Sequence, residues 1–91
     1  MKIEHDATGH RFYAELPSGT ALMVYTRAGE GVIDFYSTYV PPAARGKGVA
    51  GKLVEAGLAW ARAEGVRVIP TCWFVHQWIR AHPEHADLVA A

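Results

Sequence analysis

The stretch Val40-Pro41-Pro42-Ala43-Ala44-Arg45-Gly46-Lys47-Gly48-Val49-Ala50-Gly51 holds most of the residues that could do chemistry. Glycine lets a chain turn tightly and leaves no side chain between an amide and a ligand. A helix that opens just after Gly48 has unpartnered amides in its first turn and the positive end of its dipole there. Those features suit a phosphate group, and Arg45 and Lys47 add charge beside it. The plainer reading is a glycine-rich connection with two solvated cations. An NTP-binding loop is excluded, because Gly48 stands where that loop needs Ser or Thr after its lysine. Gly46-x-Gly48-x-x-Gly51 matches the dinucleotide fingerprint in letters only. The following strand ends Ile69-Pro70-Thr71-Cys72, with no carboxylate to hold a ribose.

A second group surrounds Cys72, the single cysteine. It stands where a strand hands over to a helix, a position that favours a thiolate. His76 lies four residues on and would share its helix face. The functional reading is a nucleophile, or a thiol against a bound thioester, with a histidine beside it. The plain reading is a small core residue. His76, His82, Tyr36 and Glu30 are candidate proton carriers for attack by an amine, and spacing does not choose among them. His82-Pro83 reads first as a helix stop. Cys72, His76, His82 and His85 fit no standard zinc spacing, so no metal is expected. Trp60, Trp73 and Trp78 are expected in the core or in pocket walls.

Positioning these residues requires a strand before the loop and a helix after it. Residues 11–16, 21–27 and 32–40 are alternating or β-rich runs separated by Pro17-Ser18-Gly19 and Ala28-Gly29-Glu30-Gly31, which predicts an antiparallel meander. Residues 2–5 could add a short edge strand. From Val49 the apolar period becomes helical through Ala50, Leu53, Val54, Gly57, Leu58 and Ala61, and Gly65 closes it. Residues 66–71 read as a fourth strand, parallel to the third because a crossover precedes it. Residues 73–81 read as a helix, and 84–90 as a final helical turn. The expected fold class is α/β in the broad sense, strictly α+β: a mixed sheet in the order β-β-β-α-β-α with helices packed on it.

The bulk properties narrow the partners. At 91 residues the chain is expected to be one domain, and with 51% hydrophobic residues it is not disordered. Nine basic residues balance nine acidic ones, which argues against nucleic acid as a partner. No run reaches the ~20 apolar residues of a membrane span. One cysteine and an N-terminus without a signal-like apolar run point to the cytoplasm.

Arg45-x-x-Gly48-x-Ala50, between a strand and an amphipathic helix, resembles the Gln/Arg-x-x-Gly-x-Gly/Ala signature of the GCN5-related N-acetyltransferase superfamily. The tail Pro70-Thr71-Cys72-Trp73-Phe74-Val75, with Trp78-Ile79 and His82-Pro83-Glu84, is similar to its short, single-domain NATD1-like branch. The likeness covers roughly residues 10–89. It implies a minimal acyl-CoA N-acyltransferase fold without the N-terminal helical pair and last strands of larger members. It further implies that amides of Arg45, Gly46, Lys47, Gly48, Val49 and Ala50 hold the coenzyme A pyrophosphate. Tyr39 and Val40 would pair with the pantetheine arm, and Cys72 would flank the thioester.

Three functions follow in order of expectation. The first is an acetyltransferase moving an acetyl group from acetyl-CoA to an amine, by direct attack or through Cys72. The second is an acyl-CoA-binding module without efficient chemistry. The third is a nucleotide-binding fragment. The chain is expected to be a monomer or a weak homodimer.

Overall fold

Strict alternation builds one face of the sheet. Phe12 and Ala14, then Ala21, Met23 and Tyr25, then Ile33 and Phe35 are all buried, while the residues between them are at least partly exposed. The computed structural model describes residues 1–90. Its strands are β1 (Glu4–Asp6), β2 (Arg11–Leu16), β3 (Gly19–Arg27), β4 (Val32–Tyr39) and β5 (Arg67–Ile69). They lie in sequence order in one sheet. The first four are antiparallel, and β4 and β5 run parallel. The expected edge strand is present at residues 4–6, shifted from 2–5.

The last strand is shorter than expected. The ladder stops at Ile69 because Pro70 has no N–H to continue it. Helix α1 (Val49–Glu64) and helix α2 (Trp73–Ala81) both pack on the alternating face, and the final helical turn, expected over 84–90, is a 3-10 segment (Pro83–Leu88). All the buried apolar residues of helices and sheet but Ala14 fall in one cluster, so the opposite sheet face carries no packed layer among the described residues.

The loop into α1 is positioned from both sides. Pro41-Pro42 ends β4 and starts a 3-10 turn (Pro42–Ala44), which Ala44 N–H to Pro41 O at 2.8 Å closes. On the far side, Leu53, Val54, Leu58 and Ala61 anchor α1 in the core. Trp73 departs from expectation: it is 72% exposed, on the side of α2 away from buried Val75 and Ile79.

Candidate functional site

Gly46 and Gly48 both take left-handed backbone, at φ 79° and 80°. L-residues pay roughly 1–2 kcal/mol there, which is why this loop carries glycine at both places. Gly48 caps α1 through its carbonyl, which accepts Lys52 N–H at 3.2 Å. No side chain caps the helix start, and no acidic residue sits in its first turn. Among the described residues, no backbone carbonyl accepts the amides of Gly46 to Gly51. The result is a run of free donors at a positive helix end.

Those donors border a cleft of about 240 Å³. Ala44, Arg45, Gly46 and Gly48 to Gly51 line it, together with Val40 and Phe74. Of the residues expected to bind a cofactor, Val40, Arg45, Gly46, Gly48, Val49 and Ala50 come together here. Lys47 borders instead a neighbouring cleft of about 340 Å³ beside Leu16, Pro17 and Ser18. That second cleft is larger and lies between the β2–β3 turn and the loop into α1, where Ala43, Ala44, Lys47 and Val49 line it. The smaller one is the cleft that Gly46 and Gly48 to Gly51 border. Arg45 donates from Nε to the Val40 carbonyl at 2.9 Å, and its guanidinium stands 6.0 Å from the Tyr39 ring centre. A cation is thereby tied to the end of β4.

Beyond the cleft, β4 and β5 part. Cys72 N–H donates to Phe35 O at 2.9 Å, and past it no backbone bond joins the two segments among the described residues. The edge of β4 from Tyr36 to Val40 is thus open toward this gap. Among the described residues one side-chain hydrogen bond spans it, between Thr38 Oγ1 and Cys72 Sγ at 3.3 Å. Cys72 is half-buried and stands at the N-cap of α2. His76 is one turn on but exposed, joined to Cys72 only by its backbone N–H to Cys72 O at 3.0 Å. No side-chain hydrogen bond joins the two. His82 holds the Trp78 carbonyl through Nδ1 at 2.7 Å and stacks on the Trp78 ring, as a helix stop would. Tyr36 is exposed on β4, and Glu30 is exposed in the β3–β4 turn.

The cleft, the free amides and the parted parallel strand pair lie together at the strand-to-helix junction. The sequence matches the family model described as GCN5-related N-acetyl-transferase over residues 11–88. The chain belongs to the GCN5-related N-acetyltransferase family. Within it, Protein NATD1 of Bos taurus is 31% identical over 85 residues, covering 91% of this chain and 75% of that protein. NATD1 of Homo sapiens is 29% identical over the same length, covering 91% and 75%. The fold matches the NMR solution structure of a GCN5-like protein from Staphylococcus aureus, with a TM-score of 0.73 at 19% identity over 99% of this chain and 88% of that one.

Sequence reasoning missed three members of the arrangement. Phe74 was legible only as part of an apolar helix. Thr38 gains its place from a partner 34 residues away. Asp34, paired with Ile69 in the β4–β5 ladder, has a sealed carboxylate oxygen without a partner, and nothing in its local sequence marks it.

Proposed function

We propose that this chain binds acetyl-CoA and transfers its acetyl group to an amine. The observation that carries the reading is the run of unpartnered amides from Gly46 to Gly51 along the cleft. Amides fixed by a folded loop bind an anion without reorganising, and Arg45 and Lys47 raise the local positive charge. The family's use of acetyl-CoA agrees with it. From the cleft, the pantetheine arm would run past Val40 and Phe74 and lie along the open β4 edge at Tyr39 and Val40. Because Arg45 holds the Val40 carbonyl, the arm would pair with the remaining groups or displace that contact. The thioester would then lie near Cys72 and Thr38.

Two routes lead onward. In direct transfer the amine attacks the thioester carbonyl carbon, the C–S bond breaks, and the sulfur leaves with a proton. Through Cys72, its thiolate would take the acetyl group first and pass it to the amine. The Thr38–Cys72 contact and the exposure of His76 favour direct transfer, since no base stands hydrogen-bonded to the thiol. Cys72→Ala retains most activity on the direct route and loses it on the covalent one.

The decisive measurement is a thermal melt with acetyl-CoA, with free CoA and NAD as controls. At 100 times the dissociation constant a ligand adds about 2.7 kcal/mol, a rise of roughly 10–20 °C for a domain of this size. A shift with both CoA forms and none with NAD supports the reading. No shift at millimolar acetyl-CoA overturns it. Release of free CoA only when an amine is added separates an enzyme from a binding module.

A further inference from the structure

The cation on the coenzyme cleft is held by a neutral group. Among the described residues that line the cleft, Arg45 alone carries a charge. It enters no ion pair with a described carboxylate. Its Nε donates instead to the Val40 carbonyl at 2.9 Å, and its guanidinium stands 6.0 Å from the Tyr39 ring centre. The side chain therefore folds back from the loop onto the end of β4.

The loop does not depend on that contact for its shape. Backbone bonds close its turn, Ala44 N–H to Pro41 O at 2.8 Å and Arg45 N–H to Pro42 O at 3.2 Å. Arg45 is exposed, and Gly46 beside it has open space where a side chain would stand. The guanidinium can thus leave Val40 while the loop stays folded. The Val40 carbonyl sits at the end of the open β4 edge, and Val40 lines the same cleft as Arg45. In this structure Arg45 occupies the acceptor that an arm lying along that edge would need.

We propose that Arg45 is a gate between the two halves of the coenzyme site: it covers the Val40 carbonyl until phosphate oxygens take its guanidinium, and the freed carbonyl then accepts an amide N–H of the pantetheine arm. The inference rests on the acetyl-CoA reading above. Phosphate offers the guanidinium an ionised acceptor with two oxygens for two parallel N–H donors, whereas Val40 offers one neutral oxygen. The exchange therefore runs toward phosphate. A pantetheine thioester without phosphates must displace Arg45 unaided. Phosphate binding and pantetheine binding are thereby coupled, each raising the affinity for the other by the same factor. The gate makes the site select the intact coenzyme over phosphate-free thioesters.

The test uses the full chain and Arg45→Ala, with inorganic pyrophosphate and S-acetylpantetheine as separate probes followed by NMR. In the parent, pyrophosphate alone should move the Arg45 Nε–H and Val40 carbonyl-carbon resonances. It should also tighten S-acetylpantetheine by about fivefold or more, the lower end of usual couplings. Arg45→Ala should bind S-acetylpantetheine by a similar factor, about fivefold, more tightly than the parent alone does, and pyrophosphate should no longer improve it. Its acetyl-CoA melting shift should fall. A gain for the fragment and a loss for the whole coenzyme are opposite signs, which neither a plain phosphate ligand nor a structural residue would give. The proposal is overturned if pyrophosphate moves the amides of Gly46 to Gly51 but not the Val40 carbonyl carbon. Arg45→Ala binding S-acetylpantetheine no better than the parent, or not at all, also overturns it. Failure of the coenzyme reading is seen separately, as the absence of any acetyl-CoA melting shift in the parent.

Discussion

A single torsion angle ties the loop's chemistry to its sequence. Gly48 holds φ 80° with open space where a Cβ would project, so a side chain there would be strained without clashing. Gly48→Val should lose about 1–2 kcal/mol of stability. It should weaken acetyl-CoA binding more than it weakens the fold, because the branched side chain leans over the amides of Val49 and Ala50. Melting curves with and without acetyl-CoA check both halves: a variant that keeps the full ligand shift would show that these amides do not carry the phosphate. This loop was legible in the sequence because its function follows from consecutive residues. The Thr38–Cys72 contact and the orphaned oxygen of Asp34 were not, since each depends on which strands lie side by side. The environment of Cys72 was half legible: the strand-to-helix junction is local, whereas its partner is Thr38 rather than His76.

At the scale of elements, the seat of α1 on the sheet depends on Gly57. A Cβ there would come within 2.5 Å of Met23 Cε and 2.9 Å of Phe35 Cζ, both from fully buried side chains. The methionine end can swing, but the phenylalanine ring is packed. Overpacking costs about 1–3 kcal/mol, against roughly 1 kcal/mol of helix propensity gained over glycine. Gly57→Ala should therefore be net destabilising, lowering the melting point by a few degrees; a rise would mean that the interface is loose. The meander-then-crossover order was readable from period alone. The end of β5 was misjudged because apolar residues continued past Pro70, whose missing N–H decided the matter. At the other end of α1, His5 on β1 binds Tyr25 Oη through Nε2 at 2.7 Å, stacks on Phe12 and meets the edge of Trp60. Burial pushes its pKa down; Asp6 and Glu64 raise it and His10 lowers it further, and the lowering wins. Below ~6.5 the unfolded chain gains a proton at this residue that the folded chain resists. Stability should be full above that pH and fall as pH drops from there toward the lowered folded value. Asp6 and Asp87, whose pKa values are held down by the Gly9 amide and by Arg62 respectively, lose their contributions only at more acid pH. Urea midpoints across pH 5–8 should show a decline absent from His5→Gln, and an identical profile in that variant would assign the decline elsewhere.

For the whole molecule, the closing tail decides how much stability is left to spend on ligand binding. A domain of this length holds about 5–14 kcal/mol in total. Its last residues contribute through several contacts at once. Leu88 is buried in the common core. Asp87 takes both guanidinium nitrogens of Arg62, at 2.8 and 3.0 Å. Ala90 N–H donates to Val68 O at 2.8 Å, extending the sheet past β5. Leu88→Ala should cost about 2–5 kcal/mol, a large share of the total, and lower the melting point by 10 °C or more. Arg62 lies roughly 20 Å along α1 from Gly48, so the tail and the coenzyme loop should act independently. Acetyl-CoA at a fixed multiple of its dissociation constant should add the same free energy to the variant as to the parent. It would then recover much of the lost stability without a change in affinity. A smaller increment in Leu88→Ala would reveal that the loop is held in shape by the tail, through Trp78, whose ring packs beside Gly51 and His85. In that case the binding site extends through the length of α2, and coenzyme affinity should fall in step with melting temperature across a series of tail substitutions.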